Sequence, residues 1–313
     1  MSTLHGLDLR ERQIETLIRL TEEGANLMYL VSDSVSTSKI KPFKARFPDR
    51  VVNVGIAEQN LIGIAAGMAN GGYIPVTGNA APFLISRSAE QLKVDVSYAN
   101  INVKVNGLHA GFSYGADGIT HHEVNDISVI RGFPSFEIYV PCTPEECNLI
   151  TEYAVRRNGP VYISLNTGVF PEILPPGHRF VPGKPVQFSG GTDVTIITMG
   201  SAIHDALEAA AALNHFCSMD IFALSSVRPL DAAPLLASIK KTGKVITLEQ
   251  HSTHGGCGSL MAEAIADNGL GAALIRLGIP EGVFTKNAAA AANKKAFGLD
   301  AEGVTGAVRR ILG

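Results

Sequence analysis

Val51-Val52-Asn53-Val54-Gly55-Ile56-Ala57-Glu58-Gln59-Asn60 is the stretch whose reading decides the fold. Three valines and an asparagine have high β propensity, so the stretch reads as a buried strand that turns sharply at Gly55. From Ala57 the chain runs Ala-Glu-Gln-Asn-Leu-Ile-Gly-Ile-Ala-Ala-Gly-Met-Ala, a helix-forming segment rich in small residues. Strand, turn and helix together set Glu58 at a helix start. Ligands of open α/β sheets bind where such strands end, so an acid placed there is a candidate for chemistry. The plainer reading of Glu58 is an N-terminal charge facing the helix dipole.

Outward from this turn, strand and helix patterns alternate, which predicts mostly parallel sheets with helices on both faces. Strands are expected near residues 27–32, 51–54, 74–77, 101–106, 136–141 and 161–165, with helices near 9–23, 57–70, 83–99, 123–131 and 144–157. Thr143-Pro144-Glu145-Glu146 opens the last helix with an N-cap and a capping box. The segment 170–185 holds five prolines beyond which no helix or central strand continues. The expected organisation is therefore an α/β chain of two domains, 1–170 and 186–313, joined by a linker over 171–185. The second domain carries strands near 194–198, 217–223, 244–248 and 273–276, with Asp231 and Asp300 as helix caps.

At 313 residues, with 46% hydrophobic and 18% charged content, the chain has enough apolar material for two cores. A net charge of −3 gives no reason to expect nucleic acid or an anionic membrane as partner. Cys142, Cys147, Cys217 and Cys257 are too scattered for a disulfide framework, and no Cys-x-x-Cys pair points to zinc. Met1 to Arg12 is polar and lacks an apolar signal core, and no run of about 18 apolar residues exists. A soluble, cytoplasmic protein in a reducing compartment is expected.

The segment Leu108-His109-Ala110-Gly111-Phe112-Ser113-Tyr114-Gly115-Ala116-Asp117-Gly118-Ile119-Thr120-His121-His122 follows a predicted strand. Three glycines, separated histidines and an aspartate in so long a loop are the marks of a functional backbone. His121, His122, Glu123 and Asp126 cluster as metal ligands do, but adjacent histidines rarely share one ion and no helical His-x-x-x-His spacing appears. Histidines satisfied by backbone hydrogen bonds are the alternative. Gly255-Gly256-Cys257-Gly258 lacks the spacing of a dinucleotide fingerprint and reads as a tight turn into a helix over 259–268.

With Gly55-Ile56-Ala57-Glu58-Gln59-Asn60 and the pattern His109…Gly115-x-Asp117-Gly118-x-Thr120-His121 both in hand, the chain resembles the C-terminal half of transketolase. The resemblance runs from about Asp8 to the end. Val227-Arg228-Pro229-Leu230-Asp231 and Glu249-Gln250-His251…Gly255-Gly256-x-Gly258 extend it through the second domain.

The resemblance implies thiamine diphosphate chemistry with Mg²⁺. Glu58 would be the catalytic acid that hydrogen-bonds a pyrimidine ring nitrogen; Phe83 would stack on that ring, and Ile56 would complete the cofactor contacts. His121 would be the second catalytic residue and, with Asp117, would bind substrate hydroxyls. His109 would lie at the substrate's phosphate end. The family's phosphate-binding arginine position holds Asn166 here, so the acceptor would be unphosphorylated, differently charged, or held by Arg10 or Arg87. Ser86 and Ala89 replace further aromatics. No Gly-Asp-Gly…Asn motif for the diphosphate and its metal occurs in the chain. Metal ligands are thus expected on a partner, an N-terminal diphosphate-binding subunit, and the chain as the small subunit of a split transketolase. Gly63 and Gly67, one turn apart, fit a close helix contact in an α2β2 heterotetramer. The expected reaction moves a two-carbon ketol unit from a ketose to an aldose. The alternatives are a 2-oxoacid dehydrogenase β subunit, a deoxyxylulose-phosphate synthase-like enzyme, and a non-catalytic regulatory subunit.

Overall fold

A computed structural model describes residues 6–313; the first five residues of the polar N-terminal segment lie outside that range. The chain forms two compact α/β units. One takes the residues up to Ala110 together with Val129–Leu174, and the other takes Gly111–Ser128 and Pro175–Gly313.

The first unit carries β1 (Leu27–Val31), β2 (Val51–Asn53), β3 (Ile74–Ala80), β4 (Lys104–Leu108), β5 (Glu137–Tyr139) and β6 (Val161–Leu165). Their order is β5-β6-β4-β3-β1-β2, and every neighbouring pair is parallel. Helices α1 (Leu9–Glu22), α2 (Glu58–Asn70), α3 (Ala81–Arg87) and α4 (Pro144–Arg156) belong to this unit. Every residue of β1, β4 and β6 is buried, as in a sheet covered on both faces. The strand that decides the fold departs from this pattern. β2 is an edge strand paired only with β1, so Val51 and Val52 are half-buried and Asn53 is exposed, rather than all lying in a core.

Several boundaries shift for local reasons. The helix expected over 83–99 divides into α3, a short turn at Ala89–Gln91 and a π-helical Leu92–Tyr98. β4 begins at Lys104 instead of residue 101, in register with Val76 of β3. Glu123 pairs with Gly111 in an isolated bridge, so the following helix starts only at Asp126. At α4, the Thr143 hydroxyl accepts the Glu146 N–H at 3.2 Å, as a capping box requires. Glu146 in return accepts the N–H of Cys142 at 2.8 Å, one residue before the cap.

The second unit carries β7 (Val186–Ser189), β8 (Val194–Thr198), β9 (Met219–Ala223), β10 (Lys244–Ser252) and β11 (Ala273–Ile279) in the order β11-β10-β8-β9-β7. Only β7, at one edge, is antiparallel. Helices α5 (Ala202–Ala212), α6 (Cys257–Asp267) and α7 (Ala301–Leu312) belong to it, and Asp300 caps α7 through the Gly303 N–H at 2.9 Å. No helix of the described residues is long and apolar enough to cross a membrane.

In the first sheet β1 lies between β2 and β3. The chain leaves β1 on one side and returns on the other, and such a switch opens a crevice at the carboxyl ends of the strands.

Candidate active site

Glu58 stands at that crevice. Gly55 turns the chain with φ +75°, a value that favours glycine. Ser32, just after β1, pins the turn from both sides: its hydroxyl donates to the Gly55 carbonyl at 2.6 Å and accepts the Ala57 N–H at 2.8 Å. Glu58 is the first residue of α2, and its side chain is 5% exposed. Asn79, near the end of β3, accepts the Ser32 N–H through Oδ1 at 3.2 Å, which turns its amide Nδ2 toward Glu58 Oε1 at 3.4 Å. Arg87, ending α3, brings Nη1 to 3.0 and 3.1 Å from the two Glu58 carboxylate oxygens. The same guanidinium lies 4.4 Å above the centre of the Phe83 ring. A cavity of about 480 Å³ is lined by Ile56, Ala57, Glu58, Gln59, Asn60 and Arg87. Ile56 projects there with 75% of its surface exposed. Glu58, Phe83 and Ile56 are therefore gathered in the first unit, with Arg87 linking the carboxylate to the ring.

His109 follows β4 in the same unit, with φ +62°. Arg10 Nη1 lies 2.8 Å from its Nε2. Arginine only donates, so Nε2 accepts, and the imidazole proton resides on Nδ1, which faces the Thr167 hydroxyl at 3.0 Å. Burial and the adjacent Arg10 charge push the His109 pKa down to about 4. Arg10 is itself fixed: Nε and Nη2 donate to Asp8 at 2.9 and 2.7 Å, and Nη1 donates to the Thr37 carbonyl at 2.9 Å. Burial opposes ionisation of Asp8, but its hydrogen bonds and charge contact with Arg10 hold its carboxyl below the usual range. Asn166 donates to the Ala110 carbonyl at 3.1 Å. The cation beside His109 is thus matched by a carboxylate before any ligand enters.

Asp117 and His121 belong to the second unit. Their loop closes where Gly111 and Glu123 exchange backbone hydrogen bonds of 2.7 and 3.2 Å. Its inner side is anchored. Phe112 stacks on Phe297 at 5.9 Å, and His122 donates from Nε2 to the Gly115 carbonyl at 2.7 Å. His122 Nδ1 then accepts from the Thr285 hydroxyl at 2.7 Å, so this histidine is structural. Gly118 has φ +75°, and a Cβ there would sit 1.8 Å from Asn287 Oδ1. On the outer side Asp117 is exposed, while His121 Nδ1 is 2.9 Å from the Thr120 hydroxyl and its ring meets Tyr114 edge-on at 5.2 Å.

Matches to known proteins cover both units. The model of the transketolase pyrimidine-binding domain matches residues 5–171, and that of the transketolase C-terminal domain matches residues 183–304. The chain belongs to the transketolase family. One of the two subunits of an apulose-4-phosphate transketolase from Actinobacillus succinogenes is 44% identical over 93% of this chain and 94% of its own length. The subunit of the same name from Phocaeicola vulgatus is 32% identical, with 94% of each chain covered. A solved split-gene transketolase, described as an inactive β4 tetramer, superposes with a TM-score of 0.86 at 32% identity, covering 98% of both chains.

Within this transketolase chain, several groups were not marked by any sequence motif. Arg87 and Asn79 reach Glu58 from other elements, and Asp8 with Arg10 does the same for His109. Glu249, buried in β10, accepts the N–H groups of Cys257 and Gly258 at 2.6 and 2.8 Å. That capping carboxylate lets α6 begin at Cys257, two residues ahead of the start expected from the glycine-rich turn. Burial pushes the Glu249 pKa up. Glu123 is raised as well, to about 8, by burial and then by neighbouring Asp126.

Proposed function

We propose that this transketolase chain supplies the pyrimidine half of a thiamine diphosphate site and the substrate contacts around it. The observation that carries the reading is the bracket of the Glu58 carboxylate and the Phe83 ring face around one planar nitrogen group, the Arg87 guanidinium. An aminopyrimidine needs the same two partners, a hydrogen-bonding carboxylate and a stacking face. The residues present therefore fit the group.

When bound, the cofactor supplies the nucleophilic carbon on which a two-carbon ketol unit is carried from ketose to aldose. Glu58 would hold a proton against a pyrimidine ring nitrogen, Phe83 would fix the ring plane, and Ile56 would cover its edge. His121 would move a proton to or from the hydroxyl beside the bond that breaks. Asp117 would accept the neighbouring hydroxyl of the donor sugar. His109, held neutral by Arg10, would line the far end of the substrate.

Mg²⁺ and the diphosphate would be held by a partner subunit in an α2β2 assembly in the cytoplasm. The relatives of equal length, each named as one subunit of a transketolase, favour this arrangement. The apulose-4-phosphate named for them is the first ketose to assay. The test is Glu58→Gln in the assembled pair. Turnover should fall about a thousandfold, in line with the loss of a positioned acid–base group. Undiminished turnover would remove Glu58 from the chemistry and leave the regulatory reading.

A further inference from the structure

Arg87 is built like a ligand of its own chain. Its guanidinium is planar and delocalised, presents N–H groups along one edge, and spends that edge on both oxygens of Glu58 at 3.0 and 3.1 Å. Its face is spent on the Phe83 ring at 4.4 Å. These are the two contacts that the proposed function assigns to the aminopyrimidine. We infer that Arg87 is an internal stand-in for the cofactor, seated on Glu58 and Phe83 until thiamine diphosphate displaces it; the inference rests on that proposed function.

The physical need for such a group follows from Glu58. Its side chain is 5% exposed, and a buried carboxylate without a partner is expensive. Asn79 offers one contact of only 3.4 Å. A chain that folds before meeting cofactor must still give this acid a partner, and the second half of a shared site does not yet surround it. Arg87 meets the need and remains displaceable. Its side chain is 49% exposed and extends from the last residue of α3, so the guanidinium can swing into water without unfolding a helix. Arg10, by contrast, is locked on Asp8 with 7% of its side chain exposed.

Two opposite effects of Arg87→Met follow. The cofactor-free chain loses the partner of a buried acid and melts at a lower temperature. The assembled enzyme no longer has to break an ion pair and a cation–π contact before binding. Thiamine diphosphate with Mg²⁺ should therefore bind about three- to thirty-fold tighter, the sum expected for two half-exposed contacts. Arg87→Lys keeps a charge for Glu58 without a planar face to stack, and falls between the two.

The experiment is calorimetric titration of thiamine diphosphate with Mg²⁺ into the assembled enzyme carrying wild-type, Arg87→Lys or Arg87→Met chains, with melting of each chain free of cofactor. Tighter binding with a lower cofactor-free melting temperature supports the stand-in. Weaker or unchanged binding in Arg87→Met overturns it, since Arg87 would then assist or ignore the cofactor while the proposed function stands. Absence of binding in all three, wild type included, removes the proposed function and the inference with it.

Discussion

Arg10 Nη1 donates to His109 Nε2 across 2.8 Å, and this one contact fixes the tautomer, the charge and the reach of a histidine at the crevice. A cationic imidazole would point a proton at a guanidinium. His109 therefore enters the site as a neutral group whose Nδ1–H is already spent on Thr167.

The pH dependence of folding follows from this. Burial and Arg10 take the His109 pKa from 6.5 to about 4, so between those values the unfolded chain binds the extra proton. The contribution of neutral His109 is complete above pH 6.5 and is lost as pH falls toward 4. Urea unfolding of wild type and His109→Asn should show the wild type losing stability more steeply over that interval. Asparagine is chosen because it tolerates the left-handed backbone. Parallel curves would contradict the assignment.

Glu123 should behave in the opposite sense. Its pKa is raised from 4.5 to about 8 by burial and Asp126, and its Oε2 is buried without a hydrogen-bond partner. Stability is full below pH 4.5 and declines as pH rises through 8, because the folded state retains the proton longer. Glu123→Gln copies the protonated form. It should gain on wild type by about 1–3 kcal/mol between pH 4.5 and 8. Chemical denaturation at the two ends of the interval measures the difference, and a gap that does not change with pH would refute it.

Asp8 carries more of the fold than its place near the N-terminus implies. Asp8→Ala leaves the Arg10 guanidinium buried without its carboxylate, a loss of about 3–5 kcal/mol. Asp8→Ala combined with Arg10→Met should recover much of that loss, because no charge is then stranded. A double variant as unstable as the single one would show that the side chains act through packing alone.

The loop of Asp117 and His121 has no room for a methyl at Gly118, where a Cβ would lie 1.8 Å from Asn287 Oδ1. Gly118→Ala should displace both side chains and lower ketose turnover about a hundredfold, the scale set by misplacement near 1 Å. Steady-state kinetics and cofactor titration of the same assembled enzyme check this: turnover falls while cofactor affinity holds. Normal turnover would mean that the loop's outer residues do not touch substrate.

The parts of the site legible in the sequence were local. Gly55 and Glu58 announce themselves by a strand, a turn and a helix within ten residues, and Gly111, Gly115 and Gly118 mark an irregular loop. What supports them was not legible, since it arrives from far along the chain. Arg87 is 29 residues from Glu58, and Arg10 is 99 from His109. No spacing rule joins such pairs; sheet order does. Residues 111–128 associate with the second unit for the same reason: Phe112 meets Phe297, and Ser252 donates to the Val124 carbonyl. The valines of β2 looked buried because β-branched residues do not reveal whether a strand is central or at an edge.

The central claim, that this chain holds the pyrimidine half of a shared cofactor site, is tested most directly by calorimetry. Thiamine diphosphate with Mg²⁺ is titrated into the chain alone, into its partner subunit alone, and into the two together. The account predicts saturable binding to the pair, at one cofactor per pair, and none to the chain alone. Tight, stoichiometric binding by the lone chain would contradict it.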